Sequence, residues 1–168
     1  MKKDNDDELL PLVDRNGKVT GSVKRGEAHR GTKLLHPVVH LHLFNSNGEL
    51  YLQHRPEWKI VQPDKWDTSC GGHIGYGESL ADALRREVGE ELGIYDIEAV
   101  KVAEYTFESS IEEEYVYVFK AIYDQDVNPS AEELSGGRFF SKEEIDEKMG
   151  KGFFTPNFES EYTKYIKN

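Results

Sequence analysis

Glu87, Glu90 and Glu91 stand at i, i+3 and i+4 within GHIGYGESLADALRREVGEELGI, residues 72–94. On a helical wheel at 100° per residue, Glu87 and Glu91 fall among Leu80, Ala83 and Leu84, with Glu90 just beside them. An acidic run is ordinarily a solvated face, but these acids share the apolar face instead of opposing it. Like charges at this spacing repel, and burying them adds a desolvation cost. A bound divalent cation removes both penalties, and oxygen-only ligands favour Mg²⁺ or Mn²⁺ over Zn²⁺. Carboxylates around Mg²⁺ suit attack by water on a phosphate, because the ion polarises the phosphoryl oxygen and lowers the pKa of the water. Arg86 is placed to lock a glutamate of the cluster. Glu78 is a weaker ligand candidate, or an acceptor behind the ligands. Glu87, Glu114 and Glu133 are all candidates for the general base.

These side chains need a helix behind them and a tight loop before them. Ser79-x-x-Asp82 is a capping-box variant that opens a helix, and Gly93 suits the left-handed residue that closes it. The span between predicts a helix of about fourteen residues. Glycines at 71, 72, 75 and 77 let the preceding loop bend closely around an ion. Upstream, residues 9–14 and 18–24 flank the turn Arg15-Asn16-Gly17 as two strands, and 38–44 and 49–54 flank Asn45-Ser46-Asn47-Gly48 as two more. Val38, Leu41, Leu43 and Leu52 are core candidates. The loop 55–65 carries Arg55, Lys59 and Lys65; Arg55 and Lys59 are candidates for a phosphate clamp, and Trp66 for the core. Downstream, 97–108 and 112–123 read as strands, 138–140 as a short strand, Ser141 as a helix cap and 157–167 as a final amphipathic helix.

The pattern G-x(5)-E-x(7)-R-E-U-x-E-E-x-G-U, with U apolar, is met at every defined position by Gly72, Glu78, Arg86, Glu87, Val88, Glu90, Glu91, Gly93 and Ile94. It resembles the signature of the Nudix (MutT-like) hydrolases. The resemblance implies an α/β fold, a Nudix-type α/β/α sandwich with a mixed curved sheet, over roughly Leu9 to the end of the chain. It also implies Mg²⁺-dependent cleavage of a diphosphate linkage.

A second set of residues points to a branch of that family. His29 and His36 are seven apart, His73 lies in the loop before the helix, and Glu112 and Glu114 alternate along a strand and so share a face. Three histidines and two carboxylates suit Mn²⁺ or a transition metal such as Zn²⁺. The pieces AHRGTKLLH, GGH and EEE are similar to the metal-ligand set of type 1 isopentenyl diphosphate isomerase, a Nudix-fold enzyme, and Arg55 and Lys59 resemble its diphosphate-contacting pair. Two features depart from it. The isomerase carries a catalytic Cys where this chain has Gly71, with Cys70 one residue earlier, and a one-residue slip on a strand turns a side chain to the opposite face. The isomerases also keep a degenerate helix motif, whereas this chain has the full hydrolase set.

Composition bounds the rest. With 168 residues, the chain has the length of a single domain, here 1–168 with a flexible polar tail at 1–8. A formal net charge of −11 argues against a nucleic-acid-binding surface, yet a metal-filled carboxylate site still presents positive charge to an anionic small molecule. One cysteine forms no intramolecular disulfide, and no apolar run approaches membrane-spanning length. The expectation is a cytoplasmic monomer or homodimer without nucleic-acid or membrane partners. Its expected activity is hydrolysis of a nucleotide-type or other organic diphosphate. An isopentenyl diphosphate isomerase and a non-catalytic nucleotide-sensing module are the alternatives.

Overall fold

The structure, a computed structural model, describes residues 6–28, 33–59, 62–110, 112–129 and 136–167. A first hairpin, β1 (Leu9–Val13) and β2 (Val19–Lys24), is joined by the expected turn, with Gly17 at φ +83°. The polar stretch after it begins with one helical turn, α1 (Arg25–Ala28), which the sequence did not suggest. Residues 6–8 fold back on this turn, for Asp6 and Glu8 accept backbone hydrogen bonds from Gly26 and Arg25.

Among the described residues, seven strands form a mixed sheet: β3 (His36–Phe44), β4 (Leu50–His54), β5 (Trp66–Asp67), β6 (Cys70–His73), β7 (Val100–Glu108), β8 (Glu113–Ile122) and β9 (Gly137–Phe140). β3 and β8 run parallel from His36 opposite Glu114 to Phe44 opposite Ile122, and the other pairings are antiparallel. The free edge of β3 forks. Leu43 and Phe44 pair with β4, while Val38 to Leu41 pair with β6. Ser69 satisfies the backbone at the fork, its hydroxyl accepting from Leu43 N at 2.9 Å and donating to the Tyr51 carbonyl.

Helices cover both faces. α2 (Leu80–Leu92) packs Ala83, Leu84, Val88 and Leu92 against Val39, Leu41, Leu43, Cys70 and Ile74. Fully burying a side chain such as Val88 or Leu92 contributes about 1.5–3 kcal/mol. Its caps are those the sequence predicts: Ser79 Oγ accepts from Asp82 N, and Gly93 has φ +68°. The other face carries α3 (Lys142–Lys148), opened by a complete Ser141–Glu144 capping box, and α4 (Pro156–Glu161), which runs on as a π-helical turn over Tyr162–Ile166. Ile145, Phe154, Phe158, Tyr162 and Ile166 fill this side against Val38, Leu50, Leu52, Val116 and Val118. Trp66 packs edge-on against Phe140 and parallel to Phe153 at the margin of that cluster, half-buried. The result is a helix–sheet–helix sandwich of the expected class. No helix among the described residues is long and apolar enough to cross a membrane.

Candidate active site

A cleft of about 380 Å³ opens where β6 leaves the fork and meets the flank of α2. Its walls include Glu87 and Glu91 from α2, Gly71 and Gly72 from β6, Arg55 and Lys59 from the loop after β4, and Glu114 from β8. The wheel reading of α2 holds: Glu87 and Glu91 are only 5% and 7% exposed, whereas the Glu90 side chain is 39% exposed on the flank. Glu91 Oε1 lies 3.4 Å from both Gly71 N and Gln53 Nε2.

Arg86 holds this constellation together. Its Nε and Nη2 donate to the two carboxylate oxygens of Glu78 at 2.8 and 2.9 Å, and Nη1 donates to Glu87 Oε1 at 2.7 Å. Nη2 also donates to the His73 carbonyl at 2.9 Å, which ties helix to loop. Glu78 takes a further bond from Gly75 N, and the hydrogen bonds from Arg86 hold its carboxyl below the usual range. Both Glu78 oxygens are thus taken up by Arg86 and Gly75. Arg86 does not itself line the cleft and meets it only through these partners.

The donor set fits a hard divalent cation. Two nearly buried carboxylates face a polar cleft, and the glycine at 72 leaves room for that of Glu87, since a Cβ there would lie 2.1 Å from Glu87 Cδ. Of the phosphate-clamp candidates, Arg55 is anchored by Nε donating to Gln62 O at 3.2 Å and by Asp67 at 3.6 Å, and Lys59 lies over the Trp58 ring at 5.0 Å. Both border the cleft.

The second set is assembled in part. One ligand atom from each of His36, His73 and Glu114 lies within 4.8 Å of the others. The His36 and His73 rings stack at 5.4 Å, and His36 Nε2 is 3.8 Å from Glu114 Oε2. His36 Nδ1 donates to Leu34 O at 2.9 Å, which turns Nε2 toward Glu114, the orientation a metal requires. Burial, with the charge of Glu112 and Glu161 and against that of His40, pushes the Glu114 carboxyl up to about 7. Glu112 itself precedes β8 and is not one of the three clustered groups. His29 lies outside the described residues, as does Glu133.

Cys70 and Gly71 face opposite ways, as strand alternation requires. Cys70, 1% exposed, packs with Val39 and Leu41 under α2, whereas Gly71 borders the cleft beside His40.

Sequence reasoning missed one group altogether. Glu161 of α4, itself 1% exposed, accepts from His40 Nδ1 at 2.8 Å, from His42 Nε2 at 2.7 Å and from the Tyr105 hydroxyl. Burial opposes charge on His40, but the charge and hydrogen bond of Glu161 more than offset it, with help from Glu114 and Asp67, and raise its pKa to about 9. The signal was present in HPVVHLHLF, where a period of two puts His36, Val38, His40 and His42 on one face. The partner, 119 residues away from His42, had no local signal.

Residues 34–158 match the family model of the NUDIX domain, so the chain belongs to the Nudix hydrolase family. Within it, the chain falls in the branch that resembles isopentenyl diphosphate isomerase. It is 35% identical over 153 residues to an uncharacterized Nudix hydrolase of Listeria monocytogenes, covering 88% of each chain. It is 30% identical over 156 residues to an isopentenyl-diphosphate Delta-isomerase of Streptomyces coelicolor, covering 89% of this chain and 79% of that one. A solved structure from Deinococcus radiodurans superposes with a TM-score of 0.76 at 24% identity, over 91% of this chain and 96% of the other, which shows the shared fold.

Proposed function

We propose that this Nudix enzyme hydrolyses the anhydride of an organic diphosphate with Mg²⁺ held by Glu87, Glu90 and Glu91. The observation that carries the reading is the burial of Glu87 and Glu91 in a polar cleft, with Arg86 holding Glu87 to the loop before α2. Two such carboxylates are costly to bury without a cation. When bound, Mg²⁺ supplies charge stabilisation at the phosphoryl oxygens and a more acidic water. Arg55 and Lys59 hold the diphosphate against that site, and fixed donors of this kind favour the charge that builds up in the transition state. Arg86 and Glu78 keep Glu87 in place through turnover. The test is a screen of organic diphosphates with Mg²⁺, identifying the products. Metal-dependent cleavage between phosphorus atoms is expected, and its absence across nucleotide, sugar and isoprenoid diphosphates overturns the reading.

The triad of His36, His73 and Glu114 favours a second reading, isomerisation of isopentenyl diphosphate, because it matches part of the isomerase ligand set. Its geometry is weakened at the step that moves a proton, where Gly71 offers no acid and Cys70 is turned into the core. Incubation with isopentenyl diphosphate in deuterated water is expected to give no deuterated dimethylallyl product. Isomerisation that disappears in Cys70→Ala makes the second reading the better one.

A further inference from the structure

A carboxylate only accepts hydrogen bonds, so both imidazoles on Glu161 must donate to it. This fixes the proton of His40 on Nδ1 and the plane of its ring. The other nitrogen, Nε2, makes no hydrogen bond within the described residues, and it lies on the side of Gly71, which lines the same cleft as His40, Arg55 and Lys59. Gly71 makes this outlook open. A Cβ at that position would stand 3.2 Å from His40 Cδ2 and 3.7 Å from Nε2, so any side chain there would cover the ring.

We propose that His40, pinned by Glu161, contacts the substrate directly, its Nε2–H donating to a non-bridging oxygen of the diphosphate. The proposal rests on the cleft's being a diphosphate site, as inferred above, and adds a donor from β3 to Arg55 and Lys59. His40 is then a substrate-touching residue, and Glu161 is a positioning residue that acts through it. Buried beside a carboxylate, the ring carries its proton at neutral pH, which makes it a cation toward phosphate and not a base toward water. A merely structural bond between β3 and α4 would need Nδ1 and Glu161 but not Nε2.

His40→Asn separates the two. An asparagine amide can keep the bond to Glu161 near the place of Nδ1, and it has no atom at Nε2. Affinity for inorganic pyrophosphate in the presence of Mg²⁺, measured by calorimetry on the full chain, is expected to fall about 10-fold or more, as for loss of a charge-assisted hydrogen bond. The thermal midpoint is expected to fall, because buried Glu161 loses a cationic partner, so affinity is compared at a temperature where melting curves show the variant folded. KM for a hydrolysed diphosphate should rise. In the parent, the ¹⁵N resonance of His40 Nε2 should move on adding pyrophosphate while that of Nδ1 changes little, a readout that does not depend on the variant folding. Unchanged affinity in a folded variant, an unmoved Nε2 resonance, or a parent that binds no pyrophosphate each overturns the proposal. Because binding is read without turnover, pyrophosphate binding through His40 in a protein that cleaves no diphosphate would sink the hydrolase reading and leave this one standing.

Discussion

The carboxylate of Glu87 occupies the space in front of Gly72: a Cβ on that glycine would lie 2.1 Å from Glu87 Cδ and 2.4–2.5 Å from both its oxygens. Glu87 cannot simply swing aside, because Arg86 holds Oε1 at 2.7 Å and is itself held by Glu78. Gly72→Ala should therefore admit its methyl only by breaking the Arg86–Glu87 bond and displacing the carboxylate. We expect the Mg²⁺ concentration for half-maximal activity to rise about 10-fold or more, comparable to disturbing a ligand's supporting contacts. A Mg²⁺ titration of turnover equal to that of the parent protein would show that Glu87 is not a ligand.

Glu91→Gln and Glu90→Gln keep shape and remove one charge each. Each is expected to lower kcat by at least about 10²-fold, as for loss of a strong electrostatic stabiliser. Without metal, Glu91→Gln should melt no lower than the parent, since a buried carboxylate beside Glu87 is replaced by a neutral group. Steady-state kinetics and thermal melts in chelator check both, and near-normal turnover in either variant removes the assignment.

The Glu161–His40 pair makes stability depend on pH in a set direction. The folded pKa of His40 is about 9, above its ordinary 6.5, so its contribution is complete below about pH 6.5 and is lost as pH rises through 9. Burial opposes ionisation of Glu161, but His40 and His42 together hold its carboxyl far below the ordinary 4.5, so its contribution is present above that value and declines as pH falls beneath it. The thermal midpoint should fall between pH 6.5 and 9, and fall less in His40→Asn. An equal slope in the two proteins would mean that other groups carry the alkaline loss.

Protein purified without chelator should carry a tightly held Mn²⁺ or Zn²⁺ on His36, His73 and Glu114, alongside any exchangeable Mg²⁺. Elemental analysis should find it in the parent and lose it in His73→Ala. A parent free of transition metal after reconstitution with Mn²⁺ and Zn²⁺ and desalting rules the site out.

Local features could be read from residue order alone. The helix from Ser79 to Gly93, its caps and the inward turn of Glu87 and Glu91 follow from spacing within one helical period, and the opposite facing of Cys70 and Gly71 follows from the two-residue period of a strand. The family motif added the sandwich. Which distant groups meet depends on how the elements pack. The parallel register of β3 with β8 puts His36 opposite Glu114, and the fork in the edge of β3 lets β6 bring His73 to the same place. The seating of α4 puts Glu161 under His40 and His42, where a chain position 119 residues beyond His42 becomes a hydrogen-bond distance of 2.7 Å. Spacing encodes periodicity within an element, whereas pairings between elements are selected by burial of whole faces, and no short stretch of sequence contains that choice.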